Sequence, residues 1–154
     1  MSLEALYEKP AHLIRRAHQI SWAIFLDECA EFGLTPVQYA ALTAIQAHSG
    51  TDASRLSSMI AFDRSTIGSV ISRLEKRGLV QRRPSATDGR QKLIFLTPAG
   101  QQLLLDCEAA VERVQNRIVG VLSRQERVVF MQLMSRIVKL NNELTSAPIR
   151  LVAE

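Results

Sequence analysis

Along most of the chain, apolar residues return every three or four positions, the period of a helix that buries one face. Leu13, Ala17, Ile20 and Ile24 form one stripe; Ile67, Val70, Ile71 and Leu74 form a second. Phe130, Leu133, Met134, Ile137, Leu140 and Leu144 form a third. Residues 1 to 10 are expected as an arm or a short helical turn, and Pro10 then opens a helix to about Phe32, which Gly33 ends. Thr35-Pro36-Val37-Gln38 starts the next helix: Thr35 caps, Pro36 takes the first position and Gln38 completes a capping box. It should run to about His48, a residue that suits a helix C-terminus when protonated, with Gly50 as the stop. From Asp52 the pattern reads helix, short turn, second helix, with Asp63 as N-cap of the second and Gly78 as its left-handed stop. The helical period breaks only at Leu79 to Arg83 and Lys92 to Leu96, two β-prone runs with Pro84 at an edge and Asp88-Gly89 in the turn between them. Two strands by themselves are marginal in water, so this hairpin must pack on the preceding helices. Thr97 and Pro98 then open a long helix to about Gly120, and Ser123-Arg124-Gln125-Glu126 is a capping box for the last one. The expected class is mainly α with a small two-stranded wing.

Composition changes this picture in one respect. The 154 residues fit a single domain, 1–154, and 47% hydrophobic with 5% aromatic residues means a core of Leu, Ile, Val and Ala. The net charge of +4 favours polyanionic partners, and its placement is uneven. Eight of the nineteen Lys and Arg residues lie between Arg64 and Lys92, opposed there only by Glu75 and Asp88. On the helix after Asp63, the side opposite the apolar stripe carries Ser65, Thr66, Ser69, Arg73 and Lys76, with Arg64 at the entry. An exposed face of that kind suits major-groove reading: Arg pairs bidentately with guanine, and Ser or Thr hydroxyls take donor or acceptor partners. A charge run can equally be an ordinary solvated face. The coincidence of a capped helix pair, a short turn, a basic face and a basic hairpin tip favours DNA binding.

Asp63-Arg64-Ser65-Thr66, Leu74-Glu75-Lys76-Arg77-Gly78-Leu79-Val80, the wing from Arg83 to Asp88-Gly89-Arg90, and Thr97-Pro98-Ala99-Gly100 together resemble the signature region of the MarR family of winged-helix transcription regulators. The flanking helices match that family in order and length, so the resemblance spans nearly the whole chain. It implies a winged helix-turn-helix DNA-binding lobe at 35–98 and a dimerisation lobe from 1–33 and 99–154. It also implies that Arg64, Ser65, Thr66, Ser69 and Arg73 face the major groove and that Arg90 of the wing reaches the adjacent minor groove; Lys76, Arg83 and Asp88 complete the expected DNA-binding set. A carboxylate at Asp88 is unexpected on a DNA surface; it either braces the Arg90 guanidinium in a fork-like pair or makes a simple Asx turn. The first and last helices offer more apolar surface than one small domain hides easily, which fits a homodimer on a pseudopalindromic operator. The two reading heads would then sit about one DNA turn, roughly 34 Å, apart.

A regulator needs an input. Arg15, His18, Gln19 and Trp22 share one face of the first helix, at spacings of three, four and seven. Arg15 is placed to clamp a carboxylate while Trp22 stacks on an aromatic ring, with Tyr39 adding a hydroxyl from the facing wall. This arrangement resembles MarR-type regulators of aromatic-acid catabolism, in which an arginine of the first helix meets the ligand carboxylate; Arg15 and Arg16 both qualify. The implied effector is a small aromatic acid or its coenzyme A thioester. The bland alternative is that Trp22 is core and the arginine pairs across a dimer interface. Oxidant sensing through Cys29 or Cys107 is a weaker input, since both sit among acidic neighbours. His12, His18 and His48 have no metal-ligand spacing, and no cofactor is expected. There is no phosphate-cradling glycine loop, nucleophile elbow or paired His-Glu motif, so an enzyme is not expected. No apolar run reaches transmembrane length and no signal-peptide pattern opens the chain, so a cytoplasmic protein is expected. A non-specific DNA-coating protein is the remaining competitor.

Overall fold

A computed structural model describes residues 3–88 and 90–150. The elements, in order, are α1 (Leu3–Tyr7), α2 (Pro10–Glu28), α3 (Pro36–Ala47), α4 (Ala53–Ile60), α5 (Arg64–Lys76), β1 (Val80–Pro84), β2 (Lys92–Leu96), α6 (Pro98–Val119) and α7 (Arg124–Leu140). The fold is mainly α with one two-stranded antiparallel wing, as the periodicity implies. After α2 the chain tightens into a 3-10 turn over Ala30–Phe32, and Gly33 closes it at φ 58°. The capping boxes at Thr35/Gln38 and Ser123/Glu126 both form, each satisfying orphan N–H groups at a helix start.

The core joins α3, α4, α5 and the wing through Leu42, Ile45, Leu56, Ile67, Ile71, Leu74 and Ile94, all essentially without solvent contact. In the hairpin Val80 faces Leu96 and Pro84 faces Lys92, so β1 runs through Pro84 rather than stopping before it. That position lies at the sheet edge, where a missing N–H costs no ladder bond. The wing is also tied backwards: Ile94 N–H donates to Thr51 O (2.7 Å) and Gly50 N–H to Ile94 O (3.0 Å). Gly89, half of the expected wing turn, lies outside the described residues, as do residues 1–2 and 151–154.

The junction of α5, β1 and α6 is close-packed. Thr97 Oγ1 donates to Gly78 O (2.6 Å) and accepts from Gly100 N–H (3.1 Å), while Thr97 N–H donates to Leu79 O (3.1 Å). Gly100 sits so near Leu79 that a Cβ there would lie 2.1 Å from its carbonyl oxygen.

The other lobe is less closed. α2 packs along α6, and an ion-pair cluster spans the two: Arg113 and Arg117 hold Glu28 at 2.7 Å each, and Arg117 also holds Asp27. Yet the apolar stripes of α2 and α7 lie open. Leu13 is 54% exposed and Leu140 79%; Ile20, Leu133 and Ile137 are exposed as well, and α7 contains no buried residue. Apolar surface left open in a continuous helical stripe marks an association face. No helix among the described residues is long and apolar enough to cross a membrane.

Candidate nucleic-acid interface

The site is built on α5. Its inner stripe, Ile67, Val70, Ile71 and Leu74, is buried as the spacing predicts, which turns Arg64, Ser65, Ser69, Arg73 and Lys76 outward; Thr66 is half-buried. Asp63 caps the helix by accepting the Thr66 N–H (2.9 Å). Its carboxylate also takes the Ser65 hydroxyl on Oδ1 and the Thr66 hydroxyl on Oδ2, each at 2.5 Å. These bonds, Ser65's first, hold the Asp63 carboxyl far below the usual carboxylate range. The two hydroxyls therefore do not offer both polarities, as free ones would. Their hydrogens are spent on Asp63, and acceptor lone pairs remain.

Arg64 of α5 and Arg90 of the wing line one cleft of about 640 Å³, together with Gly68, Asp52 and Lys92. The expected recognition helix and wing tip therefore share one concave basic surface. Gln91 reinforces it by donating to the Asp52 carboxylate (2.7 Å), which also caps α4. Arg83 lies over the Phe95 ring with its guanidinium carbon 5.2 Å from the centroid, a cation–π contact, and the residue is exposed. Asp88 accepts the Arg90 backbone N–H (2.9 Å). This is the Asx turn. Among the described residues no fork-like pair joins Asp88 to the Arg90 guanidinium.

Two residues of the basic cluster have structural work instead. Arg82 pairs with Glu75 (2.7 Å) and donates to Ser72 Oγ (3.0 Å), tying β1 to α5. Arg77 reaches away from the basic face, donating to Gly33 O (2.7 Å) and Phe32 O (2.8 Å). It thereby satisfies carbonyls at the end of the α2 segment and links the recognition helix to it. A carboxylate seven residues from Arg82 was a visible clue. The Arg77 partners are backbone groups 44 and 45 residues away and leave no mark on the sequence.

The α2 cluster forms only in part. Arg15 and Arg16 both donate to Gln19 Oε1 (3.0 Å each), and the His18 and Trp22 rings meet at 6.0 Å. Tyr39 packs on Phe25, with centroids 5.9 Å apart. Arg15 lines an open depression with Tyr7, His12, Leu13 and Arg16, to which neither Trp22 nor Tyr39 contributes. The two cysteines are fully buried, and burial pushes both thiols up, away from the accessible thiolate that a redox sensor requires.

A MarR family model matches residues 32–91, the stretch from the end of the α2 segment into the wing. The HTH-type transcriptional repressor NicR of Pseudomonas putida is 30% identical over 85% of this chain and 83% of its own. The PcaV transcriptional regulator of Streptomyces coelicolor, solved with its natural ligand, superposes with a TM-score of 0.82 at 32% identity, over 90% of this chain and 98% of that one. BpsR of Bordetella bronchiseptica, whose DNA binding is regulated by 6-hydroxynicotinic acid, superposes with a TM-score of 0.80 at 30% identity, over 85% of this chain and 94% of that one.

Proposed function

Because the chain belongs to the MarR family of transcription regulators, which bind DNA and are not enzymes, we propose that it is a homodimeric, sequence-specific repressor released from its operator by a small aromatic carboxylate or its coenzyme A thioester. The observation that carries the DNA half of this reading is the shared basic cleft of α5 and the wing, with Arg64 and Arg90 on its walls. Arg73, Lys76 and Ser69 extend the same face along the helix, and Arg83 flanks it. Phosphate contacts from these bases supply affinity and make it steeply salt-dependent, while contacts to base edges supply sequence preference. The domain division follows the same logic: residues 35–98 form the reading head, and the helices of 1–33 and 99–154 form the dimer, its interface lying along the open stripes of α2 and α7. A regulator of this kind acts where the DNA is, in the cytoplasm.

The effector half rests on Arg15, exposed on α2, and on the structural neighbour BpsR, whose DNA binding is regulated by an aromatic acid, 6-hydroxynicotinic acid. His18, Gln19, Trp22 and Tyr39 are the proposed companions of Arg15. Two chains pairing across the α2 stripe bury the same length of helix, and that is where the missing wall of the pocket would come from. Ligand binding then favours a dimer whose heads are wrongly spaced for DNA, limited by the ligand's differential affinity for the two states. An oxidant input is not favoured, since both thiols are buried.

Arg15→Ala tests the effector half. The variant should hold DNA as wild type does and lose release by aromatic carboxylates; normal release would remove Arg15 from the site.

A further inference from the structure

We propose that Ser65 and Thr66 read exocyclic amino groups, adenine N6 or cytosine N4, in the operator's major groove, and bind neither phosphates nor the carbonyl edges of guanine and thymine. The inference rests on the reading of α5 as the groove helix and adds the polarity of its first contacts.

The argument is one of hydrogen counting. A serine or threonine hydroxyl owns one hydrogen and two acceptor lone pairs. Ser65 and Thr66 each place the hydroxyl oxygen 2.5 Å from a different oxygen of Asp63. An ionised carboxylate has no hydrogen to give, so both hydroxyls are the donors. The Asp63 carboxyl is exposed and held strongly in its ionised form by these same bonds, so the arrangement does not reverse near neutral pH. What Ser65 offers outward is therefore a lone pair, and Thr66 offers the same from its half-buried position.

DNA presents few groups that donate to a lone pair. Phosphate oxygens only accept, as do guanine O6 and N7 and thymine O4. In the major groove the donors are adenine N6 and cytosine N4. The N-cap that starts the recognition helix thus also sets which base edge its first turn accepts. Arg64 and Arg73 have the opposite polarity and suit guanine, so the helix pairs an acceptor end with donors beside it.

The test is selection from a random duplex library by the full-length wild-type chain, Ser65→Ala, Thr66→Val and Asp63→Asn, followed by anisotropy on the selected site. Wild type should select A or C at the positions that relax in Ser65→Ala or Thr66→Val. There, replacing the base by an analogue lacking only the amino group should cost wild type about fivefold, the low end of a base contact, and cost the matching variant nothing. Asp63→Asn keeps an N-capping oxygen but puts an amide N–H₂ beside Thr66, freeing the threonine hydrogen. Its selected base there should move from A or C toward G or T. Selection of G or T by wild type at a relaxing position, or an equal analogue cost in wild type and variant, overturns the inference. A consensus that neither hydroxyl variant alters overturns it too, and leaves α5 as the groove helix. Absence of any wild-type consensus overturns that underlying reading as well.

Discussion

Gly100→Ala sets two physical expectations against each other. Gly100 lies in the first turn of α6, where replacing glycine by alanine ordinarily stabilises a helix, by about 0.4–1 kcal/mol. The structure predicts the reverse sign. An added Cβ would meet Leu79 O at 2.1 Å and Leu79 C at 3.1 Å. Ordinary carbon–oxygen contacts begin near about 3.3 Å, so β1 and α6 must separate by more than an ångström. Both atoms are backbone and neither can swing aside. Overpacking of this kind costs about 1–3 kcal/mol. The shift also strains the Thr97 N–H to Leu79 O bond, worth about 0.5–1.5 kcal/mol. Net of the helix gain, the loss is roughly 0.5–4 kcal/mol, a fall in Tm of roughly 1–16 °C for a chain of this size. Gly68→Ala in α5 is the control, because a Cβ there meets nothing within 4 Å and should raise stability by about 0.4–1 kcal/mol. Thermal unfolding followed by circular dichroism, at one protein concentration because dimerisation shifts Tm, measures both. A Gly100→Ala protein that melts at or above wild type would refute the packing argument.

Three further predictions follow from the same contacts. Arg90→Ala should weaken DNA binding and lower the slope of log K against log salt by about 1 without unfolding the protein; unchanged binding would remove Arg90 from the interface. Arg77→Ala should weaken DNA binding while leaving that slope as it is, because the Arg77 guanidinium serves Phe32 and Gly33 rather than phosphate; a slope reduced as in Arg90→Ala would return Arg77 to the phosphate contacts. Asp63, Glu28 and Glu126 all have folded pKa values below their ordinary ones, so their contribution to stability is complete above the unfolded values and is lost progressively as pH falls from there through the lower folded values. Tm should accordingly drop below about pH 4, and Asp63→Asn should flatten that drop; an unflattened acid limb would contradict the capping account.

Much of this architecture is written in short stretches of sequence. The caps at Thr35, Asp63, Thr97 and Ser123 depend on groups three residues apart, so residue type and spacing suffice to find them. The inner stripe of α5 is legible for the same reason. The helix after Gly33 and the hairpin after Gly78 begin where those glycines take positive φ. What local pattern did not reveal was which polar groups were already engaged. Arg82 and Arg77 look like any other bases of the cluster until distant partners are placed beside them. Asp88 offered two local geometries, and only the backbone path selected the Asx turn. The α2 cluster was legible as a face of a helix, but periodicity carries no information about what stands opposite it, and within one chain Tyr39 turns to Phe25.

The most direct measurement is fluorescence anisotropy of the protein on DNA from upstream of its own gene, with random competitor present and aromatic carboxylates and their coenzyme A thioesters titrated into the preformed complex. The account predicts a complex that resists the competitor and is released by one of these compound classes. A complex that random DNA displaces as readily as its own sequence would contradict it.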